Sequence, residues 1–115
     1  MTRKEALAEL IAMVEAGEIA RSDLDEFIPV FGLTTDGNNA LDAYRGSLDA
    51  AKLLHEAVLP GYGYGIFGTL SDGYCSACVV PKIDNPPVYH GRSDDLARAW
   101  LLAILRALHS MEPDA

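Results

Sequence analysis

Apolar side chains recur every three or four positions near the start of the chain, which is the spacing of an amphipathic helix. The residues that form this stripe are Leu7, Leu10, Ile11 and Val14. They would lie on one face of a helix, and Gly17 weakens the helix near its end. The pattern therefore predicts a first helix that buries a single face.

A shorter apolar stripe predicts a second helix. Ser22 is its predicted N-cap, and Pro29 is its predicted limit, because the residue before a proline avoids the α region. The following stretch, FGLTTDGNNALDAYRG, is predicted to be a connector. Its Asp36-Gly37-Asn38-Asn39 run is the clearest turn signal in the sequence.

A third helix is predicted over SLDAAKLLHEAVLPG. Ser47 is its N-cap, and the helix stops at Pro60-Gly61. Its predicted apolar face consists of Ala50, Leu53, Leu54 and Ala57.

The next segments alternate with the period of strands. Residues 61–71 and 74–81 form a predicted hairpin around a turn at residues 71–73, and residues 86–90 form a short third strand at an edge. With a period of two, the side chains of Tyr62, Tyr64, Ile66 and Leu70 point to one side. Gly61, Gly63 and Gly65 alternate with these residues and leave the other side of the strand without side chains.

The chain closes with a long predicted helix, from Asp94 to about Met111, with Ser93 as its N-cap. Its apolar face is so wide that this helix should be the most buried. The element order is α-α-α-β-β-(β)-α, which predicts an α+β fold. We expect a single domain over residues 1–115, with a short antiparallel sheet of two to four strands and helices packed on it.

Composition narrows the classes of function. Half of the residues are hydrophobic, but the longest apolar run, Ala99 to Leu105, is far too short to span a membrane. Acidic residues interrupt the N-terminal segment, so no signal peptide is predicted and a cytoplasmic location is expected. The formal net charge of −8 repels nucleic acid phosphate, so no direct binding of DNA or RNA is expected.

Two well-known signatures occur in the hairpin, but their context argues against their usual chemistry. The G-x-G-x-x-G of Gly63, Gly65 and Gly68 follows a helix and forms a strand, whereas a dinucleotide fold needs strand, glycines and helix in that order. Cys75 and Cys78 lie in a strand instead of at a helix start, and no further zinc ligands have the required spacing. We therefore predict a β-hairpin with small buried residues, and no metal, cofactor or catalytic group is assigned.

Aromatic and basic residues make up the remaining candidate site. Aromatic rings stack on nucleotide bases, and arginine guanidinium groups bind phosphates with two parallel hydrogen bonds. The alternative is that the tyrosines cover the edge of the sheet and the arginines pair with nearby acids. The candidate ligand-binding residues are Tyr44, Arg45, Tyr62, Tyr64, Tyr89, His90 and Arg92.

Three segments resemble a family of small bacteriophage proteins, the phage ABA sandwich domain. They are RSDLDEFIPVFGL, YRGSLDAAKLLHEAVLPGYGYGI and LARAWLLAILRAL, and the likeness covers nearly all of the chain after residue 20. The loop PKIDNPPVYHGRSDD departs from the family pattern. The resemblance implies an α-β-α sandwich and a phage or prophage origin, hence a host-cell cytoplasm, but no known activity.

Three functions are the leading hypotheses at this point, and a structural role in the virion is a fourth that the high charge and the lack of repeats do not favour. The first is a non-catalytic phage accessory protein that sequesters a small nucleotide-like defence signal, such as a cyclic nucleotide or cyclic ADP-ribose, in a site shared across a homo-oligomer. The second is an acidic interaction module that inhibits a host defence protein. The third is an enzyme that degrades a nucleotide.

Overall fold

A computed structural model describes residues 2–19, 24–68, 71 and 73–113. These residues form five α-helices and one three-stranded antiparallel sheet. The helices are α1 (Arg3–Ala16), α2 (Ile28–Phe31), α3 (Thr35–Tyr44), α4 (Leu48–Val58) and α5 (Leu96–Met111). The strands are β1 (Gly63–Phe67), β2 (Cys75–Val80) and β3 (Tyr89–Ser93). The predicted α+β class and the order of helices, sheet and closing helix are confirmed.

The first helix has the predicted face and well-defined ends. Thr2 and Glu5 form a capping box, in which the Thr2 hydroxyl accepts a hydrogen bond from the Glu5 N–H. Gly17 ends α1 in the left-handed conformation, at φ 69°. Leu7, Leu10 and Val14 are buried, as the periodicity predicts, whereas Ile11 is only partly buried.

The segment after α1 corrects the prediction for Pro29. A 3₁₀ turn at Leu24–Glu26 precedes α2, and Pro29 lies in the first turn of α2 instead of limiting a helix. Proline suits this position because the first turn needs no intrahelical N–H donor. The predicted N-cap Ser22 lies outside the described residues.

The predicted connector is wrong, because its central part forms α3. The Thr34 hydroxyl caps this helix by accepting a hydrogen bond from the Gly37 N–H at 3.4 Å. Residues that usually favour turns therefore occupy a first helical turn, where they cost little once a cap is in place. Ala40, Leu41 and Ala43 are buried in the core, so tertiary packing outweighs the local turn preference.

Helix α4 confirms the predicted cap and shifts the predicted face. The Ser47 hydroxyl accepts a hydrogen bond from the Ala50 N–H at 3.1 Å. The buried residues of α4 are Ala50, Ala51, Leu54 and His55. Leu53 is 55% exposed and Ala57 is also exposed, so the buried face is rotated toward His55.

The sheet has the strand order β1-β2-β3, so β1 and β3 are its edges. Ile66 pairs with Ala77, and Ala77 pairs with Gly91, which places all three residues on one side. We call this the helix-facing side; it consists of Tyr64, Ile66, Cys75, Ala77, Val79, Tyr89, Gly91 and Ser93. The exposed side consists of Gly63, Gly65, Phe67, Ser76, Cys78, Val80, His90 and Arg92, none of which is buried.

The glycine and cysteine motifs lie in the hairpin, as predicted. Gly63 and Gly65 are part of β1, and Gly68 follows it. Cys75 is buried on the helix-facing side, whereas Cys78 is partly buried on the exposed side. Both thiols are free, because side chains at positions i and i+3 of a strand point in opposite directions.

Helix α5 is the centre of the molecule. It packs on β3 and β2, and its other faces contact α1, α3 and α4. The molecule therefore has three layers, which are the sheet, α5 and the remaining helices. The remaining helices pack against α5 and not against the opposite side of the sheet. Ten of the residues of α5 are buried, which confirms that this helix is the most buried.

The N-cap of α5 differs from the prediction. Ser93 is the last residue of β3, and the cap is Asp95, whose carboxylate accepts a hydrogen bond from the Arg98 N–H at 3.0 Å. Ser93 instead accepts a hydrogen bond from the Asp95 N–H. No helix among the described residues is long and apolar enough to cross a membrane.

Candidate functional site

The structure separates the seven predicted site residues into three groups. Tyr44, at the end of α3, is 4% exposed, and its ring belongs to the core. The Arg98 guanidinium lies 4.1 Å from the centre of that ring and donates two hydrogen bonds to the Tyr44 carbonyl. The neighbouring Arg45 points outward and forms an ion pair with Asp42 at 3.6 Å. Tyr44 therefore anchors α3 to α5.

The second group consists of the tyrosines in and directly before the strands, which contact α5. The Tyr89 hydroxyl is 2.9 Å from the Ser110 hydroxyl, and the Tyr62 hydroxyl donates to the Met111 sulfur at 3.6 Å. The ring of Tyr64 packs on Trp100, with 4.5 Å between ring centres. These tyrosines cover the end and one flank of α5.

The Tyr64 ring is part of an aromatic cluster with His55 and Trp100. His55 and Trp100 are each 2% exposed. Because the Trp100 indole N–H can only donate, His55 Nδ1 accepts its hydrogen bond at 3.3 Å. His55 Nε2 therefore carries the proton and donates to the Tyr62 carbonyl at 3.0 Å. Both ring nitrogens of His55 are satisfied, so this histidine connects α4, β1 and α5.

The third group is His90 and Arg92, which lie on the exposed side of β3. The His90 carbonyl accepts a hydrogen bond from the Arg106 guanidinium at 2.6 Å. The Arg92 guanidinium lies over the ring of Tyr74, 4.9 Å from its centre. Tyr74 is 47% exposed, and it precedes β2 on the same side of the sheet as Ser76, the partner of Arg92. The two side chains therefore form a diagonal cross-strand pair.

The Tyr74–Arg92 pair lies at a cleft of about 510 Å³. The C-terminal end of α1 forms one wall, and Gly73 and Tyr74 before β2, the end of β3 and the first turn of α5 form the other. The lining residues are Val14, Glu15, Ala16, Gly17, Gly73, Tyr74, Arg92, Ser93, Asp94 and Arg98. Pockets that bind small organic ligands have volumes of about 300–1,000 Å³, so the cleft is large enough for a nucleotide.

Charged side chains around the cleft form two pairs of opposite sign. Arg98 and Asp94 are paired at 3.6 Å, and Glu15 accepts a hydrogen bond from Arg106 at 2.7 Å. Arg98 is held mainly by the Tyr44 carbonyl, so it forms part of the wall. Arg92 is the cationic side chain of the cleft that combines exposure with an aromatic neighbour.

Of the predicted site residues, the cleft contains Arg92 alone. Sequence reasoning missed Tyr74 because the prediction treated it only as the start of the partner strand. Tyr74 meets Arg92 because β2 pairs with β3 in a particular register. The spacing of residues within each strand does not indicate that register. Arg98 was missed because it lies within the apolar stripe of the closing helix.

Among the residues that the structure describes, no three histidine, cysteine, aspartate or glutamate side chains are grouped as a metal site would require. Comparison with protein-family models, with curated proteins and with solved structures finds no match to this chain.

Proposed function

We propose that this protein is a non-catalytic accessory protein that binds a small nucleotide-like ligand in the cleft between α1 and the hairpin. One observation carries this proposal: the exposed Tyr74 ring and the Arg92 guanidinium meet at a cleft of nucleotide size. An aromatic ring supports a base by stacking, and an arginine beside it supports a phosphate.

Each residue of the pair has a distinct role in this proposal. The Tyr74 ring stacks on the base, while the Arg92 guanidinium moves from the ring to the phosphate. Arg98 stays on the Tyr44 carbonyl and forms the wall behind the ligand. A phage origin and a defence signal as the ligand, such as a cyclic nucleotide or cyclic ADP-ribose, remain part of the proposal, as does a cytoplasmic location. They rest on the sequence motifs that resemble the phage family.

Thermal melting of the pure protein against cyclic di- and trinucleotides and cyclic ADP-ribose isomers tests this function. A ligand that binds only the folded state raises the melting temperature in proportion to the logarithm of its concentration over Kd. We expect a rise of several degrees with one ligand, which chromatography then recovers unchanged. Y74A should weaken binding about 10- to 100-fold, because stacking on an aromatic ring contributes about 1–3 kcal/mol per base.

R92A should weaken binding by a similar factor, since a hydrogen bond to a charged group contributes about 1.5–3 kcal/mol. R45A is the matched control, because Arg45 is an exposed arginine that does not line the cleft. It should leave the affinity unchanged. Equal losses from R45A and R92A would contradict the assignment of the cleft.

The same experiment separates the two other functions. Loss of the ligand over time would identify an enzyme that degrades it. The absence of any shift across the panel would instead favour the acidic interaction module. In that case Glu5 and Glu9, which are exposed one helical turn apart on α1, are carboxylates that could cover a basic patch on a partner.

A further inference from the structure

Within the part of the chain that the structure describes, the edge strand β1 lacks the features that normally prevent an exposed strand from pairing with another chain. Natural edges are blocked by a charged residue, a proline, a bulge or a covering element. The sequence of β1 is Gly-Tyr-Gly-Ile-Phe, without charge or proline. Its main contact is β2, with lighter contacts to α5 and, through Tyr64, to His55 of α4. Three large side chains of β1 remain exposed: Tyr64 at 46%, Ile66 at 40% and Phe67 at 53%.

The opposite edge of the sheet is protected. Pro86 and Pro87 precede β3, and Asp94 and Asp95 follow it. The His90 carbonyl of β3 is bound by the Arg106 guanidinium, which reaches it from α5. The two edges therefore differ in chemistry, and β1 is the one suited to pairing.

The sequence of β1 is complementary to itself when two copies run antiparallel. A two-fold axis at Gly65 places Gly65 opposite its own copy, Tyr64 opposite Ile66, and Gly63 opposite Phe67. This register is the one in which all five residues of each strand are paired. It sets an aromatic ring beside a β-branched side chain twice on the helix-facing side, which is a favourable cross-strand pair. On the exposed side, each Phe67 ring covers a glycine of the other copy.

The charge distribution also favours a second copy at this edge. The chain carries a formal net charge of −8, which opposes association at most surfaces. The stretch from Leu59 to Gly68 contains no charged residue. Two copies that meet at β1 thus bring together an uncharged segment, and backbone hydrogen bonds continue the sheet from one copy into the other.

We propose that the protein forms a two-fold homodimer through antiparallel pairing of β1 with β1 of a second copy, centred on Gly65. The result is a continuous six-stranded sheet. The interface lies along an edge that does not line the cleft, so each copy of the proposed dimer holds its own ligand site, in place of the site shared across a homo-oligomer that is expected from the sequence. A five-residue strand pair is a small interface, so the dimer should be in equilibrium with the monomer.

Analytical ultracentrifugation over a wide range of protein concentrations tests the dimer. The monomer has a mass of 12.4 kDa, and we expect the mass of the wild-type protein to approach twice this value as the concentration rises. I66K places a charge at the edge in both copies and should leave a monomer at every concentration. I83K is the control, because Ile83 is 63% exposed in the loop between β2 and β3 and should behave as wild type.

A disulfide at the two-fold axis tests the register itself. Opposite residues of an antiparallel pair have Cα atoms about 4.5–5.5 Å apart, within the range of a disulfide. Gly65→Cys should therefore cross-link two copies on oxidation, in a Cys78→Ser background that removes the adjacent thiol. Gly63→Cys in the same background faces Phe67 and should cross-link much less. A wild-type monomer at all concentrations, a dimer that survives I66K, or equal cross-linking at the two positions would overturn the proposal.

Discussion

At the scale of single residues, Gly91 sets the distance between the sheet and α5. An added Cβ would lie 1.9 Å from the Ala99 carbonyl oxygen and 2.7 Å from the Ala103 nitrogen. Both contacts are with helix backbone, which cannot rotate away as a side chain can. The small side chains of Ala99 and Ala103 complete this close approach of strand and helix.

G91A should therefore lower the free energy of unfolding by roughly 3 kcal/mol or more, the upper range for overpacking a core. Urea unfolding measures this change. G68A is the control, because a Cβ at Gly68 meets no atom within 4 Å; it should change the stability by less than about 0.5 kcal/mol. A similar loss in both variants would show that the contact with α5 does not limit position 91.

His55 illustrates a residue whose role depends entirely on its neighbours. In the sequence it is one of three scattered histidines, without ligand spacing. In the structure it is buried and connects the Trp100 indole to the Tyr62 carbonyl. The two partners lie 45 and 7 positions away along the chain, so no short-range pattern could have indicated both hydrogen bonds.

At the scale of elements, the caps decide where the helices begin. Ser47 caps α4 and was correctly predicted, because the serine directly precedes the apolar stripe. For α5 the same reasoning chose Ser93, although Asp95 is the cap. Ser93 continues β3 through its pairing with Cys75. Strand pairing in the sheet therefore outweighs the local preference of Ser93 for the N-cap position of a helix.

D95A should lower the free energy of unfolding by about 1 kcal/mol, the usual contribution of an aspartate N-cap. S93A should cost less than about 0.5 kcal/mol, because the Ser93 hydroxyl accepts a long hydrogen bond of 3.4 Å from the Asp95 N–H and donates its other one, at 3.1 Å, to the solvent-exposed Asp94 carboxylate. Thermal or urea unfolding of the two variants checks this order. A larger loss in S93A than in D95A would restore Ser93 as the effective cap.

At the scale of the whole molecule, α5 lies between the sheet and the remaining helices. This position explains why its apolar face extends around most of its circumference. The sheet depends on the contact with α5, because the other side of the sheet has no buried residue. Among the three strands, β1 has the fewest stabilising neighbours, since it packs mainly on β2.

Native-state hydrogen exchange should show this hierarchy. Amides of α5 are expected to exchange last, at the rate set by global unfolding, whereas amides of β1 exchange earlier through local opening. Mass spectrometry of peptides after pulse labelling measures both at low protein concentration, where the proposed dimer is dissociated. Slower exchange in β1 than in α5 would contradict this order.

The sequence by itself determined the α+β class, the long buried closing helix, the hairpin and the separation of the two cysteines onto opposite sides. These features follow from periodicity and turn chemistry, which act over a few neighbouring residues. Only the tertiary structure decided that residues 35–44 form a helix, that His55 is buried and that Tyr74 meets Arg92. Each of these depends on contacts between segments far apart in the chain, and the free energy of that packing exceeds local preferences.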